Sequence, residues 1–124
     1  MKCTIDATQK VVIVTLAGEI SDTDVISIGA LTSSDPFFDP SFSEIVDFSP
    51  ATGGSVSTFA LQTLARRTSI YSRTSKHIVI APKPHIFGLT RMFQAHATET
   101  RPNTLVVRTL DEARECLGLQ KAKD

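Results

Sequence analysis

Four short runs rich in β-branched residues recur along the chain, at Val11 to Leu16, Ile45 to Phe48, Ile78 to Ala81 and Leu105 to Val107. They are apolar almost throughout, without a polar-out alternation, which is the pattern of strands whose two sheet faces are both covered by helices. Cys3 to Asp6 does alternate, and the polar turn Ala7-Thr8-Gln9-Lys10 follows it. This predicts an edge strand hairpinned onto the second strand.

Helical patterns fill the intervals. Ser21 with Asp24 three residues on reads as a capping box, after which Val25, Ile28 and Leu31 recur at helical spacing until Asp35-Pro36 ends the run. A second helix gathers Leu61, Leu64, Ala65 and Thr68 on one stripe. A third begins near Pro84, whose fixed φ suits a first helical turn, and is expected to bury Leu89, Met92, Phe93 and His96. The last has a capping box at Thr109 and Glu112, an apolar stripe of Leu110, Ala113 and Leu117, and Gly118 as its left-handed C-cap. The predicted order is ββαβαβαβα. It describes an α/β domain with a mixed, mostly parallel sheet of about five strands and four helices, joined by right-handed crossovers.

At 124 residues the chain is expected to form one domain over 1–119, with 120–124 as a frayed tail. Lysine and arginine total 13 and so do aspartate and glutamate, so no global field draws the chain to nucleic acid or to an anionic membrane. No apolar run exceeds the four residues of Val11 to Val14, against the roughly 20 that a membrane span needs. With no hydrophobic leader segment after Met1, a cytoplasmic protein is expected. Cys3 and Cys116, far apart and without CxxC spacing, are expected to be buried thiols, and no residue pattern calls for a metal or a cofactor.

Ligands of such sheets meet the loops beyond the carboxyl ends of the strands, here Gly18 to Asp22, Ser49 to Ser57 and Pro82 to Gly88. The middle segment carries Gly53, Gly54, Ser55, Ser57 and Thr58 and opens onto the second helix, so its serines are either helix caps or a partner-binding, phosphorylatable site. It has neither the Walker pattern, nor GxGxxG, nor GxSxG. No catalytic constellation is recognised; a serine hydrolase built from Ser55 or Ser57 with His85 and Asp47 is the remote alternative. His77 and His96 read as structural histidines.

Two stretches hold more apolar area than one sheet contact buries. Phe37, Phe38 and Phe42 lie in a proline-bounded connection, expected to tuck under the sheet, the alternative being an exposed patch at Phe37 and Phe38 that a second subunit or an apolar ligand covers. Phe87, Leu89, Met92 and Phe93 spread around the third helix, which would suit a second subunit in a homodimer.

Taken together, "GEISDTD", "DPFFDPSF", "IVDFSPATGG", "FGLTRMFQ" and "RTLDEARECLGL" resemble the stage II sporulation protein AA-like branch of the STAS domains, from about Val11 to Leu119. The resemblance implies the ββαβαβαβα fold and a non-enzymatic interaction or regulatory module, related to anti-sigma-factor antagonists and more distantly to CRAL-TRIO lipid carriers. In the antagonists a partner kinase phosphorylates a serine at the start of the helix after the third strand. Ser57 is the nearest match, with Ser55 where that family has an acidic residue and Thr58 where it has a glycine. The carrier likeness implies an alternative function, carriage or sensing of a small apolar ligand among Phe87, Leu89, Met92 and Phe93.

Overall fold

The computed structural model describes residues 1–119, so the expected frayed tail lies outside the described residues. Five strands form the main sheet: β1 (Lys2–Asp6), β2 (Val11–Thr15), β4 (Ser43–Asp47), β6 (His77–Ile80) and β7 (Thr104–Val107). They lie side by side in the order β1-β2-β4-β6-β7. The β1–β2 pair is antiparallel and every other pair is parallel, as the hairpin and the unbroken apolar runs predict. The crossover helices are α1 (Asp22–Ser33), α2 (Thr58–Arg66) and α3 (Pro84–His96), and α4 (Leu110–Leu117) closes the described chain. Among the described residues no helix is long and apolar enough to cross a membrane.

Each crossover steps one strand further in the same direction, so crossovers of one hand must stack their helices on one face of the sheet. Val25 of α1, Leu61 of α2 and Ile86 of α3 accordingly share a buried cluster with Val12, Val14, Val46 and Val79. The alternate strand residues Val11, Ile45, Ile78 and Ile80 turn to the other face and meet Ala113, Cys116 and Leu117 of α4. Both faces are thereby covered, which is why these strands read as continuous apolar runs.

Two further strands were not foreseen. β3 (Gly18–Ser21) and β5 (Ala51–Ser55) pair in parallel as a separate two-stranded sheet, where loops were expected. They continue the lines of β2 and β4 past the carboxyl rim, bridged by the Leu16 amide to the Asp47 carbonyl at 3.0 Å and the Gly18 amide to the Pro50 carbonyl at 3.1 Å. Ile20 and Ala51 join the core, while the rest of β5 offers mostly backbone.

The helix ends follow local chemistry. Ser21 and Asp24 form the predicted capping box, and the Ser21 donors hold the Asp24 carboxyl below the usual carboxylate range. Thr109 caps α4, and Gly118 takes the left-handed conformation at φ 68°. Two expectations fail. The α2 stripe does not reach Thr68: the helix stops at Arg66, because Arg67 is extended and Arg101 donates to the carbonyls of Leu64 and Arg67 that another turn would use. In α3 the buried residues are Ile86 and Thr90, while Leu89, Met92 and Phe93 are half-buried and His96 is exposed. Cys3 and Cys116 are free thiols but only half-buried.

Candidate functional site

The three helices do not close onto the sheet. Between them lies a cavity of about 400 Å³, floored by Val46 and Val79, walled by Ile26, Ile28 and Gly29 of α1, Leu61 and Leu64 of α2, and Leu89 and Phe93 of α3. Its upper end is closed by Ile20, Gly53 and Gly54, so the unexpected two-stranded sheet is the cap of the cavity. Gly54 makes this possible: its φ is +131°, and a Cβ placed on it would collide with the backbone of Ile20. The expected rim is also in place, because Lys83 beside Pro82 donates its Nζ to the carbonyls of Ser49 and Ala51.

The lower end is polar. In strands, residues two apart share a face, so Glu44 points with Val46 and His77 with Val79 into the helix-covered side. Parallel register sets Glu44 beside His77. His77 Nδ1 lies 3.0 Å from Glu44 Oε1, and the Tyr71 hydroxyl donates to Glu44 Oε2 at 3.2 Å. All three residues are buried. Phe38 and His77 both meet the Tyr71 ring edge-on, with centroids 5.2 and 4.9 Å away. Burial, then the neighbouring Glu44 carboxylate, push the Tyr71 phenol far up, so it remains a donor at neutral pH.

Arg101 completes this end of the cavity. Its Nη1 donates to the carbonyls of Leu64 and Arg67, each at 3.2 Å, and to Thr100 Oγ1 at 3.0 Å, while Phe93 lies 5.8 Å from its guanidinium carbon. Burial draws this guanidinium down from its ordinary value, and the Glu44 carboxylate partly offsets that.

The residues singled out by the sequence divide sharply. Gly53 and Gly54 line the cavity, and so do Leu89 and Phe93. Phe87 instead lies under the Arg108 guanidinium at 4.3 Å, and Met92 is half-buried away from the cavity. Of the apolar surplus of α3, Leu89 and Phe93 thus line the cavity and Phe87 lies against an arginine, while Met92 does neither. In the phenylalanine connection Phe42 is buried and Phe38 half-buried, as tucking requires, but Phe37 is 70% exposed. Ser55 pairs with Ser21 in the small sheet, and Thr58 is exposed on the first turn of α2.

Ser57 is the N-cap of α2: its Oγ accepts the Ala60 amide at 3.0 Å and donates to Asp22 Oδ2 at 2.8 Å, while its own amide donates to Asp22 Oδ1 at 2.7 Å. The start of α2 is thereby tied to the start of α1. Among the described residues no hydrogen bond joins Ser55, Ser57 or Asp47 to His85: Ser57 Oγ donates to Asp22, and Asp47 Oδ1 accepts the Ser49 amide at 2.8 Å. Ser57→Ala removes the cap and the link, and thermal melts should show a loss of about 1–2 kcal/mol. Ser57→Asp should cost more, because it sets a second carboxylate against Asp22, and a melting point equal to that of Ser57→Ala would contradict this.

The apolar runs at Ile45 and Ile78 do not reveal the polar cluster because they start two residues inside β4 and one residue inside β6. The usable signal is that Glu44-Ile45-Val46 and His77-Ile78-Val79 share one phase, which puts both ionisable residues on the same face of neighbouring strands. In comparisons with known proteins, the chain matches no family model and no curated protein.

Proposed function

We propose that this protein is a binding module that holds a small, mainly apolar molecule between α1, α2, α3 and the sheet, as a carrier or sensor. The observation that carries the reading is the cavity of about 400 Å³, within the roughly 300–1,000 Å³ range of small-molecule sites, apolar along its walls with a few convergent polar groups at one end. The likeness of the sequence to the STAS domains, and through them to lipid carriers, points the same way. So does Gly29, a helix-interior glycine on the cavity wall whose missing side chain leaves space at some cost in helix stability.

Protein purified without denaturant and extracted with organic solvent should release a small apolar compound detectable by mass spectrometry. Leu64→Trp, which adds bulk to the wall, should remove that compound while far-UV circular dichroism remains native. A clean extract, together with failure of the purified protein to bind any apolar probe, would rule the reading out.

A second reading, docking of a protein regulator at the start of α2, is favoured by Phe59, which is 78% exposed one residue beyond Thr58. In that version phosphate on Ser57 acts by breaking its link to Asp22, since about −1.5 to −2 charges would face a carboxylate.

A further inference from the structure

At the polar end of the cavity Arg101 holds hydrogen-bond donors without a partner among the described residues. Both oxygens of Glu44 are already engaged, Oε1 by His77 Nδ1 at 3.0 Å and Oε2 by the Tyr71 hydroxyl at 3.2 Å. Arg101 presents the opposite situation. Its Nη1 is anchored on the carbonyls of Leu64 and Arg67. Among the described residues its Nε and Nη2 have no acceptor, and the side chain lines the cavity. A guanidinium held at one corner keeps its remaining N–H groups in a fixed fork, the geometry that a carboxylate accepts with two oxygens. Arg67 lines the same cavity from its exposed end. The fixed charges along the cavity are therefore two arginines against the single carboxylate of Glu44, each of whose oxygens already has an internal partner.

We propose that the cavity selects an apolar carboxylic acid, its carboxylate received by the free fork of Arg101 and its hydrocarbon part lying along Leu64, Val79, Leu89 and Phe93. This rests on the ligand-binding reading above and specifies the chemical class of that ligand. Glu44 has a positioning role here: by engaging His77 and Tyr71 it keeps the floor of the cavity filled and ordered beside the guanidinium.

The test compares decanoate, decanol and decylamine, which share one chain and differ only in the head group, as competitors of the neutral fluorophore N-phenylnaphthylamine on the purified full chain. Decanoate should displace the fluorophore at concentrations about tenfold lower than decanol, the size expected of a charge-assisted hydrogen-bonded pair. Arg101→Lys, which keeps the charge but loses the fork, should bring decanoate close to decanol. Equal displacement by the acid and the alcohol, or a preference for the amine, would overturn the carboxylate proposal and leave the binding reading intact. A fluorophore that does not bind, with none of the three compounds detected by calorimetry, would overturn both. If Arg101→Lys fails to fold, the comparison of the three compounds on the native chain decides alone.

Discussion

Alanine at position 54 is expected to destabilise the fold by about 3 kcal/mol or more and to lower the melting temperature by on the order of 10–20 °C, far beyond an ordinary surface substitution. Two independent causes act together. The backbone there has φ +131°, a region that L side chains rarely adopt, and the added Cβ would run into the nitrogen, carbon and oxygen of Ile20 on the paired strand. Neither neighbour is a flexible side chain that could swing away. Gly29→Ala is the internal control: its Cβ would meet nothing within 4 Å, and a helix-interior glycine replaced by alanine should raise stability by roughly 0.5–1 kcal/mol. Circular dichroism melts of the two variants should therefore move in opposite directions. Equal melting points for native protein and Gly54→Ala would mean that β3 and β5 do not approach as closely as described. Because Ile20, Gly53 and Gly54 cap the cavity, any folded fraction of Gly54→Ala should also bind apolar probes more weakly.

That same glycine shows where sequence reading loses its grip. Val11 to Leu16, Ile45 to Phe48 and Ile78 to Ala81 were legible as strands because burial on both faces demands β-branched residues at every position, and local composition records the demand. Ala51-Thr52-Gly53-Gly54-Ser55 records nothing of the kind. It is a strand because its backbone lies against Gly18–Ser21, a contact between segments some 30 residues apart, and glycine-rich composition argues for a loop. The caps at Ser21, Thr109 and Gly118 were readable for the converse reason, since a cap is satisfied within three or four residues.

The candidate site was less legible still. A cavity is the place where packing stops, and no residue type signals that. The surplus of apolar side chains on α3 was a real signal, yet it fits an internal hollow as well as a subunit interface; the side chains of Leu89 and Phe93 line the hollow. Ser57 drew attention as a hydroxyl at a helix start, and its chemistry became clear only with Asp22, 35 residues earlier, at 2.7 and 2.8 Å.

Replacing Glu44 by leucine is expected to cost about 3–5 kcal/mol, because it strands two buried donors, the Nδ1–H of His77 and the hydroxyl of Tyr71, which lose their acceptor together. The loss should be read from urea unfolding, with a midpoint that falls at an unchanged slope. His77→Leu in the same background should recover part of it, since an apolar pair leaves only Tyr71 unsatisfied, and Glu44→Leu/His77→Leu/Tyr71→Phe should recover most of it. A single Glu44→Leu variant within about 0.5 kcal/mol of the native protein would show that the cluster is solvated and not the closed arrangement described here. The recovery matters more than the loss. If an apolar replacement of the whole cluster folds as stably as the native chain, stability does not explain three buried polar side chains on the floor of an otherwise apolar cavity. What they still provide is a carboxylate that partly offsets the charge of Arg101, and the triple variant should then be folded, stable and tighter in its binding of decanoate.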